Sequence, residues 1–191
     1  VIVAPGRYTG QSNMEGTLAN ELAYSASYAG HGCLRFAWRG HGGSEGERLP
    51  EDAPIAPLLE DLAAVFLTAV ETFESPKVLL AAIRDGAAPA LAFARIEPQV
   101  TGLLLLEPPE GLDLDGLDRP VDCFFTGELG PPPSYTAGPP EERRWRNWTI
   151  KNADAFWRRG LGELGQRVAQ LLGGGRHRPG AGPEEPRHSA L

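Results

Sequence analysis

Lys77-Val-Leu-Leu-Ala-Ala-Ile-Arg-Asp-Gly-Ala-Ala-Pro-Ala-Leu91 is the stretch whose reading decides the fold. Lys77 to Ala82 is an apolar run of strand length. A run without polar alternation marks a strand buried on both faces of a parallel sheet. Gly86 and the small residues Ala87, Ala88 and Ala90 let a helix start tight against that strand. Pro89 falls in the first turn of the helix, where its missing N–H forfeits no hydrogen bond. The stretch therefore reads as strand, sharp turn and helix, with Arg84 and Asp85 at the turn.

The flanking sequence repeats the same alternation. Strands are expected at Val1–Pro5, Cys33–Trp38, Gly102–Glu107, Pro120–Thr126 and Trp148–Lys151. Leu18, Leu22, Ala26 and Ala29 form a helical stripe between Met14 and Ala29, ended by Gly30 and Gly32. Leu58, Leu59, Leu62, Val65, Phe66, Ala69, Val70 and Phe73 share one face of a second helix, with Glu60, Asp61 and Glu71 off it. Asn152 can cap a last helix faced by Phe156, Trp157, Leu161, Leu164, Val168, Leu171 and Leu172. Strands alternating with helices imply one α/β domain over residues 1–172, with about six mostly parallel strands and helices on both faces. Residues 173–191 carry Gly, Pro and charge with little to bury, and are expected to be a disordered tail. Ligands on such sheets sit at the carboxyl ends of the strands. Here those ends are Pro5-Gly6, the His41 loop, Arg84-Asp85, the Pro108 turn and the Gly127 loop.

Composition narrows the function classes. The 191 residues suit one domain with a real core, and a hydrophobic fraction of 41% is that of a soluble globular protein. A net charge of −7 argues against general nucleic-acid binding. Cys33 and Cys123 sit inside apolar runs and read as reduced core thiols, which points to a cytoplasmic setting. No signal peptide or membrane-spanning run is visible. The chain opens at Val1 directly on a strand, so natural residues are expected before it.

Several segments together resemble the small α/β hydrolases, the serine esterase and peptidase-like group. Leu34-Arg-Phe-Ala-Trp-Arg-Gly-His-Gly-Gly-Ser-Glu-Gly46 is similar to that group's strand and R-G-x-G-x-S-x-G loop. Glu60-Asp-Leu-Ala-Ala64 resembles the start of its next helix, and Gly102 to Pro109 its strand after the elbow. Pro120 to Glu128 resembles the strand and G-E-x-D turn that carry the catalytic acid, and Lys151-Asn-Ala-Asp-Ala-Phe-Trp157 the segment that carries the histidine. The resemblance covers roughly Val1 to Leu172, with the group's first two strands absent. It implies a nucleophile elbow at Ala82-Ile-Arg-Asp-Gly86, where the G-x-S-x-G serine is replaced by Arg84. It also implies that Gly130 stands where the acid would be and Ala155 where the histidine would be. A triad needs a nucleophile, a base and an orienting carboxylate, and these three residues supply none of them. The usual His-Gly or His-Pro of the oxyanion loop is here Ala4-Pro5-Gly6. The expectation is a non-catalytic, structural, assembly or ligand-binding subunit. The alternative is a hydrolase of esters, thioesters or peptides with a non-standard site.

Individual residues allow sharper readings. Gly42-Gly-Ser-Glu-Gly46 matches G-x-S-x-G and would make Ser44 a nucleophile, but a loop precedes it and Glu47-Arg-Leu-Pro50 follows, so a structural loop fits the context better. Asp85 could be a nucleophile after a one-residue shift, or a carboxylate favoured by the helix N-terminus. Arg84 could hold an anion in a pocket formed with Pro5, Gly6 and Asp85, or be neutralised by Asp85 or Glu107 and fill that pocket. Arg143-Arg-Trp-Arg-Asn-Trp148, with Arg158 and Arg159, could be a partner patch but reads first as solvated surface. His31, His41, His177 and His188 show no metal-ligand spacing, and no cofactor motif is present. A protein partner, a homo-oligomer or a small anionic ligand are the interactions left open.

Overall fold

The computed structural model describes residues 1–6, 17–125 and 145–149. Numbered in chain order, its elements are β1 (Ile2–Ala4), α1 (Thr17–Tyr28), β2 (Leu34–Arg35), α2 (Ala56–Phe73), β3 (Val78–Ile83), α3 (Ala87–Ile96), β4 (Val100–Leu106), β5 (Val121–Phe125) and β6 (Trp145–Thr149). A 3-10 turn, Arg84–Gly86, joins β3 to α3. The six strands form one sheet in the order β2-β1-β3-β4-β5-β6. Every strand pair is parallel. β3 is therefore central, as its unbroken apolar run requires.

All six residues of β3 are buried, and they divide between two layers. Val78, Leu80 and Ala82 face α2 and α3, in a core with Leu62, Phe66, Leu91, Leu103 and Leu105. Leu79, Ala81 and Ile83 face the α1 side, with Ala19, Leu22, Leu104 and Phe124. This is the period-two geometry of a strand in a sheet covered on both sides. On α2, Leu58, Leu62, Phe66 and Ala69 are buried at helical spacing.

Several boundaries differ from the sequence reading. β2 pairs for two residues only, because it lies at the sheet edge against the three-residue β1. Phe36 to Trp38 leave the sheet, and the Trp38 ring turns back onto the core edge-on to Phe36 at 4.7 Å. β6 begins at Trp145 rather than Trp148, and pairs Val121↔Trp145 through Phe125↔Thr149. β4 starts at Val100 and ends at Leu106, which puts Glu107 outside the strand. Phe73 is 40% exposed rather than part of the buried face, because α2 ends there. Its ring lies where a side chain on Gly32 would be, with Cδ1 2.4 Å from the position of a Gly32 Cβ. The expected last helix, the tail and the Arg158-Arg159 pair lie outside the described residues. Among the described residues, no helix is long and apolar enough to cross a membrane.

Candidate functional site: the turn between β3 and α3

The carboxyl ends of the central strands meet at one edge of the sheet. Ala4 pairs with Ala82, and Ile83 pairs with Leu106. Pro5-Gly6, Arg84 and Glu107 are thus the residues by which three neighbouring strands leave the sheet. Pro5 and Gly6 are buried, while Arg84, Asp85 and Glu107 are half-buried.

Arg84 has φ 51°. This left-handed conformation costs an L-residue roughly 1–2 kcal/mol, because Cβ crowds the following carbonyl. It lets the chain turn sharply from an extended Ile83 (φ −112°, ψ 126°) into the 3-10 turn, which the Ala87 N–H closes on the Arg84 carbonyl. Pro89 is the third residue of α3, inside the first turn, where N–H groups have no intrahelical partner.

The turn is held by close backbone approach. A Cβ on Gly86 would lie 2.6 Å from the Pro5 carbonyl oxygen and 3.1 Å from that of Ala4. Only glycine lets the start of the helix pass the end of β1 this closely. The same Pro5 carbonyl accepts a buried 2.7 Å hydrogen bond from Trp38 Nε1. One carbonyl thus ties together the exits of β1 and β2 and lies against the turn after β3.

The loop after β2 is anchored separately. Arg39 Nε donates to Asp61 Oδ1 at 2.9 Å, and the Arg39 backbone N–H donates to Asp61 Oδ2 at 3.2 Å. A terminal nitrogen of Arg39 reaches the Pro57 carbonyl at 2.7 Å and Glu60 Oε2 at 3.1 Å. Hydrogen bonding to Asp61 is the main cause raising the Arg39 pKa above its usual value. The loop motif and the start of α2, separate segments of sequence, are one clamp in space. Gly40 (φ 68°) belongs to it, since a Cβ there would meet the Arg48 backbone N at 2.3 Å. Ser44 is part of the same loop, and its hydroxyl donates to the Ala37 carbonyl at 2.7 Å. His41 is buried and has interaction partners.

Of the candidate residues, Pro5, Gly6, Arg84 and Asp85 come together at this edge. The strained apex falls on Arg84, and Asp85 follows it inside the 3-10 turn. Gly130 and Ala155 lie outside the described residues. Among the described residues, Arg84 has no ion-pair partner; neither Asp85 nor Glu107 pairs with it, and both have other interactions. Two features escaped the sequence reading: the Trp38 anchor on Pro5 and the Arg39–Asp61 clamp. A third is the backbone of Glu107, with φ 48°. Its one visible signal was its place between an apolar strand and Pro108.

A separate cavity of about 210 Å³ opens at the opposite edge, between the starts of β1 and β3. His31, Phe73 and Lys77 are among the residues lining it, and His31 Nε2 is buried there with no hydrogen-bond partner. Burial lowers the His31 pKa, helped by the nearby N-terminal ammonium. The six residues of β3, about 16 Å at 3.3 Å per step, separate this cavity from Arg84.

Solved structures match this arrangement over most of its length. An α/β serine hydrolase homologue from Coxiella burnetii superposes with a TM-score of 0.63 at 20% identity, over 90% of this chain and 83% of that one. The lidless α/β serine hydrolase XC6422 from Xanthomonas campestris gives 0.63 at 19% identity, over 90% and 79% of the two chains. The fold is that of the α/β hydrolases. An esterase from Pyrococcus furiosus shares it with a TM-score of 0.61 at 14% identity, over 90% and 79%. No family model matches the sequence, and no curated protein matches it significantly. In the α/β-hydrolase fold the nucleophile sits on a sharp, strained strand-to-helix turn. In this chain the strained residue at that turn is Arg84.

Proposed function

We propose that this chain is an α/β-hydrolase-fold protein without hydrolase chemistry, whose elbow binds a small anion through Arg84. The observation that carries the reading is Arg84 at the apex of the elbow with φ 51°. A guanidinium stays protonated and cannot attack a carbonyl carbon. The resemblance puts Gly130 at the acid position and Ala155 at the histidine position, so neither a base nor its orienting partner is supplied. Ser44 offers no substitute, since its hydroxyl is spent on the Ala37 carbonyl in a clamped loop. Asp85 lies one residue past the strained apex, inside the 3-10 turn, which favours the reading of it as a carboxylate at a helix N-terminus.

Binding is favoured over a purely structural role. A plug would be neutralised, and no described residue forms an ion pair with Arg84. A scaffold would also do better with glycine at this backbone position, which adopts positive φ without strain. An arginine fork matches the two oxygens of a carboxylate or phosphate. The protein is therefore read as a ligand-binding module, alone or as a subunit of an assembly. The test is titration of the protein with acetate and with inorganic phosphate, followed by backbone amide NMR, against Arg84→Gln. Saturable shifts at Arg84–Ala87 that weaken on the order of tenfold in the variant are expected, the loss of one charge-assisted contact. Unchanged affinity in Arg84→Gln would overturn the binding role.

A further inference from the structure

The cavity of about 210 Å³ between the starts of β1 and β3 has a wall set by backbone. α1 ends in a Schellman motif. The His31 N–H donates to the Ala26 carbonyl and the Gly30 N–H to the Ser27 carbonyl, both at 3.0 Å, with Gly30 left-handed at φ 81°. His31 is the residue just past that glycine, so the motif fixes where its side chain starts. An apolar residue packed back on the helix is common at this position. Here the residue is a histidine that lines the cavity, with Nε2 buried and unpartnered.

Gly32 and Phe73 continue the wall. A Cβ on Gly32 would lie 2.4, 2.6 and 2.7 Å from three atoms of the Phe73 ring, so the ring stands where a side chain would be. Ile2, Ala69 and Val78 add buried apolar surface. Lys77 lines the cavity and is exposed, which puts it at the opening. Among the described residues it forms no ion pair. No aspartate or glutamate is among the described lining residues, although the chain carries a net charge of −7. An imidazole and an ammonium set in an apolar wall select an apolar body with one anionic end. A dry apolar cavity of roughly 150 Å³ is enough to bind benzene. This one is larger and polar at two points, so it has room for a ring with one carboxylate.

We propose that this cavity is a binding site for a small aromatic carboxylate. The ring lies against Phe73 and Val78, and the carboxylate accepts from His31 Nε2 and from the Lys77 ammonium. Burial favours the neutral imidazole. Its one proton is on Nε2 in the complex, since a carboxylate only accepts. Rotation about χ2, which is broad for histidine, turns Nε2 toward the ligand. The flexible stem of Lys77 lets its charge follow. The site stands apart from the anion-binding reading of Arg84, which concerns the other edge of the sheet.

The experiment titrates the full chain with benzoate, benzene and acetate, in wild type, His31→Leu and Lys77→Gln. Amide NMR separates the sites: shifts at His31, Gly32 and Lys77 report this cavity, and shifts at Arg84–Ala87 the elbow. In wild type, benzoate should bind the cavity on the order of tenfold more tightly than benzene, the size of one hydrogen bond to a charged group. It should also bind more tightly than acetate, which lacks the ring, and should move the His31 Nε2 resonance. His31→Leu places an apolar residue where the motif favours one, so the variant keeps its fold. It should weaken benzoate on the order of tenfold and leave benzene binding in place, a ratio that a merely structural role would not move. Lys77→Gln should weaken benzoate about two- to fivefold, as for an exposed ion pair. Equal cavity affinities for benzoate and benzene, or benzoate binding undiminished in His31→Leu, would overturn the proposal. An Nε2 resonance unmoved at benzoate saturation would overturn it without any variant. Absence of benzoate shifts in the cavity would overturn it too, and would leave the Arg84 site standing.

Discussion

Replacing Gly86 by alanine should damage the elbow more than any other single methyl addition in the β3–α3 stretch. The new Cβ would lie 2.6 Å from the Pro5 carbonyl oxygen and 3.1 Å from that of Ala4. Both obstacles are backbone, so neither can rotate away as a side chain would. The Pro5 carbonyl is also fixed by Trp38 Nε1 at 2.7 Å, which removes the easiest direction of retreat. Overpacking of this kind costs about 1–3 kcal/mol. At about 2–4 °C per kcal/mol for a chain of this size, Tm should fall by about 2–12 °C. Scanning calorimetry measures the fall, and the Trp38 indole N–H resonance reports whether its bond to Pro5 has lengthened. A Tm shift below about 1 °C with an unmoved indole resonance would refute the close approach of α3 to β1.

Three further outcomes follow from named contacts. Asp61→Ala removes two of the contacts that hold Arg39, whose side chain is 28% exposed, and leaves those to the Pro57 carbonyl and Glu60, so a loss of about 1–2 kcal/mol and a drop of about 2–8 °C in Tm are expected by calorimetry. Burial, with Asp122 adding repulsion, pushes the Cys123 thiol up to about 12, so it should resist iodoacetamide at pH 8 until denaturant is added; labelling in the native state at the rate of a free thiol would contradict its placement. The His31 pKa is lowered by burial, so its folded value lies below its unfolded value of 6.5. Its contribution to stability is complete above about pH 6.5 and is lost as pH falls through that value toward the folded one, and His31→Gln should flatten that part of the stability–pH curve.

The fold was legible because its signals are periodic. β3 is an unbroken apolar run, and burial of all six residues is the direct outcome of a two-sided sheet. The stripe on α2 gave the face that Leu58, Leu62, Phe66 and Ala69 bury. Boundaries were less legible where tertiary pairing sets them. β2 has strand-like residues through Trp38, yet only Leu34 and Arg35 find partners on β1 before the chain leaves the sheet edge. The site was half legible. Gly86 and Arg84 stand out in sequence, since one closes the elbow motif and the other interrupts it. The strain at Glu107 and the bond from Trp38 to Pro5 leave no local pattern, because each depends on a strand 17 to 33 residues away. Arg39 and Asp61 each carry ordinary sequence signals, but only the packing of the loop onto α2 joins them.

Active-site labelling with a fluorophosphonate bears most directly on whether the elbow does chemistry. The probe needs an activated serine, and activation needs a base within hydrogen-bond reach. With Arg84 at the apex and the Ser44 hydroxyl bound to the Ala37 carbonyl, the folded protein should remain unlabelled. Arg84→Ser should remain unlabelled too, because a serine without its histidine keeps its proton. Intact-mass spectrometry reads both results. Stoichiometric labelling of the wild-type chain, abolished by Ser44→Ala, would contradict the non-catalytic reading and place the active site in the Gly42–Gly46 loop.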